Sequence, residues 1–219
     1  MYRDRDGRAF SLAVALREQT REQHARAERA GVMGELLGRR IPRRTYCALL
    51  RNLLPIYAAL ESALATPAAR PKLAPIAFPE LRRADALEND LRVLRDGASA
   101  PELPLVTAAR DYALRLPRIG MQRPTDLIAH AYLRYLGDLS GGQILRAIVA
   151  DLFALPDRRG TRFYDFGSPE EASDLARRFR AGLDAIELDA EQAACVIAEA
   201  KWGFEMHGRL FEELRQACR

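Results

Sequence analysis

The chain has 219 residues, 48% hydrophobic and 29% charged, with a formal net charge of +4. That length suits one domain with a core large enough to need no disulfide or metal staple. The composition argues against a disordered tail or a membrane protein, and Cys47, Cys195 and Cys218, far apart and with no CxxC, argue against a disulfide framework or a thiolate zinc site.

The N-terminus, MYRDRDGRAF, has no apolar signal core and no cleavage pattern, and residues 1–10 read as a tail before a domain at 11–219. No run reaches the roughly 18 to 20 apolar residues that cross a bilayer. The expectation is a cytoplasmic monomer with no membrane and no nucleic-acid partner. Its arginines are spread among acids, as on a solvated helical surface, without the dense patch or motif that nucleic acid demands.

Apolar residues recur at helical spacing almost throughout. Ser11 is a good N-cap for a first helix carrying Leu12, Leu16, Thr20, His24 and Ala27 on one face and ending near Gly31. A second helix opens at Pro42 and runs to about Thr66, with Pro55 inside it to bend it. Pro67 to Pro79 reads as a loop. Helices then fit Pro79 to Arg95, Glu102 to Leu116, and about Thr125 to Ala154, the last interrupted by glycines 137, 141 and 142. Thr161 to Phe166 reads as a connecting loop. Ser168-Pro-Glu-Glu and Asp189 with Gln192 are strong start signals for two more helices, to about Ile186 and to the C-terminal region. The sum is an all-α single domain, a bundle of about seven or eight helices.

The segment Tyr132 to Gln143, YLRYLGDLSGGQ, keeps three glycines in what its flanks mark as a helix. Each costs about 1 kcal/mol there relative to alanine. Such glycines need a close approach of backbone to something, or a kink; tight helix packing and a simple break both stay open on spacing alone. No strand precedes them, so a dinucleotide or P-loop reading fails. Asp138 sits within this set with Arg134 four residues before it, which predicts one face and either an ordinary ion pair or a carboxylate that holds water beside a ligand. His24, His130 and His207 are the histidines, and none forms an ExxH or HExxH pattern. A lone histidine on an apolar face is usually structural. His24 has Glu28 one turn on, where a carboxylate can orient the imidazole, and one neutral imidazole suffices as an axial heme ligand.

Five segments, LREQTREQHARAE (16–28), PIYAALE (55–61), ADALENDL (84–91), AHAYLRYLGDLSGGQ (129–143) and RLFEEL (209–214), together resemble the heme oxygenase family in order and spacing, from about Ser11 to Leu214. The resemblance implies heme b, as substrate and cofactor, sandwiched between the first helix and the glycine-kinked helix, and cleaved with O2 and electrons from an external donor to biliverdin (IXα), CO and ferrous iron. A ferredoxin, a flavodoxin or a reductase would be the redox partner. By position His24 matches the proximal iron ligand and Glu28 the acid beside it. Asp138 matches the carboxylate that holds distal water, with Tyr57 and Arg134 as its partners. Gly137, Ser140, Gly141 and Gly142 match the backbone over the heme. Arg17, Tyr132 and a basic residue among Arg177, Arg178 and Arg180 fall where the family holds the propionates, Arg180 being the best aligned. Leu145, Phe204 and Phe211 match pocket walls. Position 207 departs, with histidine where relatives often carry an amide, and a supporting role near the heme is expected there. The resemblance leaves a non-catalytic heme carrier or sensor as the alternative.

Overall fold

The computed structural model describes residues 2–3, 9–95 and 102–219. Ser11 caps as expected, its Oγ accepting from the Val14 N–H at 3.1 Å. The helix that follows is broken in two, α1 (Leu12–Gln19) and α2 (Arg21–Arg29). The joint is Thr20, whose buried hydroxyl donates to the Leu16 carbonyl at 2.7 Å; back-bonding of this kind bends helices. Next comes α3 (Gly31–Leu37), which has no side-chain cap and so left no start signal in the sequence.

Helix α4 (Arg43–Leu64) runs uninterrupted through Pro55 and buries residues along its whole length, including Tyr46, Leu49, Leu53 and Tyr57. By length and composition α4 would suit a membrane, yet more than half of its most apolar window is buried inside the fold. It is the central core helix, packed against α6 (Ala84–Leu94) and α7 (Thr107–Gln122). The proline-rich stretch before α6 is not all loop: it holds a short helix α5 (Arg70–Leu73) and two 3-10 turns, 74–76 and 79–81. Helix α7 starts later than the sequence predicts because Asn52, buried on α4, pins the approach: its amide donates to the Pro104 carbonyl and its carbonyl accepts from the Val106 N–H, both at 2.8 Å.

The glycine segment is continuous, from α8 (Leu127–Ala131) through a π-helical turn, Tyr132–Leu136, to α9 (Gly137–Leu152). The predicted interruption at the glycines falls instead in the turn just before them. Thr161–Phe166 does connect, as expected, but it contains a 3-10 turn pinned by Asp90, whose carboxylate accepts from the Arg162 and Phe163 N–H groups at 2.9 and 2.7 Å. Both predicted capping boxes form, at α10 (Pro169–Ala185) and α11 (Ala190–Ala217). Among the described residues the only strands are Tyr2–Arg3 and Ala9–Phe10, paired antiparallel with Tyr2 opposite Phe10, within the segment expected to be a tail. α11 lies along α2, α3, α7 and α8, and the shared core is filled by aromatics such as Tyr46, Tyr57, Tyr112 and Phe179.

Candidate active site

Two contacts place α2 on α11. Gly31, with φ of +41°, turns the chain between α2 and α3, and a methyl group there would sit 2.1 Å from the Phe211 carbonyl oxygen, so only glycine allows the approach. Its N–H donates to Glu212 at 2.8 Å. His24 on α2 thereby meets Phe204 on α11 edge to face, ring centroids 5.5 Å apart. Glu28 lies 3.7 Å from His24 Nδ1, and both side chains are about half exposed. That separation is longer than a direct hydrogen bond.

On α9, Gly137, Ser140, Gly141 and Ile144 follow one another at spacings that put them on one stripe. A methyl group at Gly137 or Gly141 would meet no atom within 4 Å, so both glycines border open space. Ile144 is 64% exposed, and the sequence reading missed it. Its signal was there: a large apolar residue one turn beyond the glycines on the same stripe. Gly142 is turned elsewhere: a methyl group there would lie 3.5 Å from the Tyr164 ring, in the 3-10 turn that packs on α9.

Asp138, 9% exposed, accepts a hydrogen bond from the Tyr57 phenol. Of the two readings of the Arg134–Asp138 spacing, the direct ion pair does not form. The π turn inserts an extra residue per turn and rotates Arg134 out of register. Its guanidinium lies over the face of Tyr57, 5.6 Å from the ring centroid. Burial raises the Asp138 pKa to about 6, even with Arg134, the Tyr57 phenol and Arg83 acting to lower it.

Arg17, Tyr132 and Arg180 come together from three helices. Ser11 Oγ donates to Asp184 at 2.9 Å, and the Ala13 N–H donates to it at 3.1 Å, which ties the start of α1 to the end of α10. The Tyr132 phenol is pushed up by burial, and the Thr20 hydroxyl and the charges of Arg17 and Arg180 oppose the rise. The neighbouring arginines are engaged otherwise. Arg177 pairs with Asp174, while Arg178 reaches Glu80 at 3.5 Å and covers the Phe78 ring at 4.6 Å. Phe204 and Phe211 are buried on α11, and Leu145 is half-buried against the core.

A second polar cluster, not anticipated from the sequence, lies where α7, α8 and α11 meet. Arg115 grips Glu199 with two bonds of 2.7 Å; His130 Nε2 lies 3.1 Å from Glu199, and His130 Nδ1 2.8 Å from the Tyr112 hydroxyl. These residues are spread over 87 positions' worth of chain, from Arg115 and Tyr112 to Glu199, and no local spacing links them.

The sequence model of the family described as heme oxygenase matches residues 10–213. The chain is 38% identical over 207 residues to the heme oxygenase of Porphyra purpurea, covering 94% of this chain and 88% of that one. Its fold is similar to that of heme oxygenase-1 from the cyanobacterium Synechocystis in complex with heme, with a TM-score of 0.86 and 33% identity over 95% of this chain and 94% of the other. It is equally similar to heme oxygenase from Leptospira interrogans, with a TM-score of 0.86 and 32% identity over 93% of this chain and all of that one. The chain belongs to the heme oxygenase family, and it is a heme oxygenase.

Proposed function

We propose that this heme oxygenase opens heme to biliverdin, CO and ferrous iron, consuming O2 and electrons from an external donor, with Asp138 holding the proton that the reaction uses. The observation that carries this reading is the setting of Asp138: a buried carboxyl bonded to the Tyr57 phenol, its pKa pushed up to about 6 by burial, one residue from Gly137 and three from Gly141, both of which border open space. A group tuned to working pH is what general acid chemistry requires.

The residues fit a heme. A flat macrocycle needs backbone without side chains on one side, an imidazole on the other, and cations for its two carboxylates. Gly137 and Gly141 meet the first need, with Ser140 and Ile144 on the same stripe. His24 meets the second through Nε2, its ring braced by Phe204 and its Nδ1 turned to Glu28. Arg17, Tyr132 and Arg180 meet the third. Arg177 is committed to Asp174, so Arg180 takes the clamp. Leu145, Phe204 and Phe211 would line the walls. Bound heme supplies the iron at which O2 is activated and the ring that is cut. The protein's part is to orient the ring and exclude bulk water. It also keeps a proton on or near Asp138 with its network of Tyr57 and Arg134. The clamp, by fixing the rotation of the ring, selects the α-meso edge.

The donor fits a small acidic redox protein, ferredoxin or flavodoxin, or a reductase, as the net charge of +4 suits an acidic partner. The test is to titrate purified protein with hemin, then add a reductant in air. A one-to-one Soret band that decays into a biliverdin band, with the IXα isomer recovered, is the expected result. A Soret band that persists under reductant would make the chain a carrier or sensor. A β or δ isomer would overturn the clamp assignment.

A further inference from the structure

The end of α3 breaks a local rule. A Schellman motif closes it: the Arg40 N–H donates to the Glu35 carbonyl at 2.8 Å, and the Arg39 N–H to the Leu36 carbonyl at 3.0 Å. The residue after the cap must then turn left-handed, which is why glycine commonly fills it. Here it is Arg39, with φ of +55°. Its guanidinium donates to the Asp151 carboxylate on α9 at 3.3 Å. Asp151 breaks a rule as well. It stands in the last turn of α9, where the helix end is already negative and an anion is disfavoured.

Neither position suits its residue alone, and the bond between them joins the two helical walls. α3 follows α2, which carries His24, through the Gly31 turn, and it packs against α9. Along α9, Gly137, Gly141, Ile144 and Asp151 share one stripe, with Asp151 two turns past Ile144. Tyr132, of the clamp, precedes the stripe, so the Arg39–Asp151 bond lies at its opposite end. Both side chains are more than half exposed, and an exposed ion pair contributes little to stability. Two locally unfavourable residues joined by a bond of that kind are explained by the span they hold, not by the energy they add.

We infer that Arg39 and Asp151 form a latch at the end of the cleft away from the propionate clamp. The latch fixes how far α9 stands from α3, and so how readily heme leaves the space between α2 and α9. Both are positioning residues, set apart in the chain from His24, Asp138 and the clamp. Because the pair is exposed, salt weakens it, and it can open without disturbing the core. The consequence for heme rests on the reading of the cleft given above; the latch between the two helices does not.

Arg39→Gly tests the latch without straining the fold, because glycine suits the left-handed turn. Asp151→Asn breaks the same bond from the other side and relieves the helix end of an anion. In the protein without heme, at low salt, both variants should speed hydrogen exchange in the last turns of α3 and α9 by about threefold, with Tm equal to or above that of wild type. At about 0.5 M salt, wild type should exchange as the variants do. With heme bound, both should release it to an excess of a heme-scavenging globin about threefold faster at low salt, and the double variant no faster than either single one. Wild-type exchange in either variant would overturn the inference, as would faster exchange with unchanged heme release. A lowered Tm in Arg39→Gly would overturn it too, since general loosening would then account for the rates. Effects that multiply in the double variant would show that the two residues act apart. If wild type binds no heme, the functional reading falls, and the exchange and salt measurements still decide whether the bond ties α3 to α9.

Discussion

Two buried carboxylates in this fold are driven in opposite directions. Glu199 is 5% exposed, and its pKa falls to about 2; burial raises it, but the two bonds from Arg115, the His130 N–H and their charges outweigh that. Asp138 is 9% exposed, and its pKa rises to about 6. Burial is the leading influence on both. What differs is the partner: Glu199 has a guanidinium gripping both oxygens, while Asp138 has a phenol, with Arg134 over the face of that phenol's ring. A carboxylate that is fully paired is a structural tie. One that is buried and underpaired is a proton store at working pH. The fold contains both, and only the second lies on the helix that carries the glycine stripe.

The largest expected effect breaks the comparison from the catalytic side. Asp138→Asn keeps the shape and an acceptor for Tyr57 but cannot hold an exchangeable acid proton. Biliverdin formation should fall by about 100-fold or more, with heme affinity changed by less than about threefold. Unchanged product yield would contradict the role given to Asp138.

Breaking it from the structural side comes next. Glu199→Gln leaves Arg115 and His130 without their anion, and should destabilise the fold by about 3 kcal/mol at neutral pH, read from urea unfolding. The sign with pH follows from the depressed pKa. This stabilisation is complete above about 4.5, the ordinary glutamate value, and is lost as pH falls toward about 2. A stability difference that persisted at pH about 2 would show that the pair is not its source.

Asp138 must show the reverse. Its folded pKa lies above the ordinary 3.8, so the native state prefers the protonated acid, and stability falls as pH rises from about 4 to about 6. Asp138→Asn should flatten that slope and exceed wild type by about 1–2 kcal/mol at pH about 8, while losing activity. An Asn variant less stable than wild type at pH about 8 would mean that Arg134 depends on the charge more than burial penalises it.

The smallest effect sharpens the same rule on arginines. Arg177 is paired with Asp174 and Arg180 stands beside Tyr132, so Arg180→Ala should weaken heme binding by about 3- to 10-fold, and Arg177→Ala by less than about twofold. Isomer analysis should show loss of regiochemical control in the first variant alone. Equal effects would return the clamp to an undivided patch.

What the sequence made legible was what short-range rules govern. Ser11 capped its helix as its residue type predicts, and Ser168 and Asp189 did so with the Glu171 and Gln192 partners three residues on. His24 and Glu28 met because one turn of helix separates them. The family resemblance paired Tyr57 with Asp138, and the two are hydrogen-bonded. What stayed hidden depends on geometry that spacing does not encode. Arg134 lies in the π turn with its guanidinium over the Tyr57 ring, an arrangement that neither reading of its spacing to Asp138 contained. A single hydroxyl at Thr20 split the first helix. Arg177 and Arg178 are engaged by acids on the same or a neighbouring element, and the Glu199 cluster forms where three helices meet.

The central claim is that catalysis belongs to the underpaired carboxylate. The most direct test loads wild type, Asp138→Asn and Glu199→Gln with one equivalent of hemin in the cold, where all three are folded, and adds reductant in air. Biliverdin per bound heme should stay within about threefold of wild type in Glu199→Gln and nearly vanish in Asp138→Asn. Equal yields in the two variants, high or low, would contradict the account.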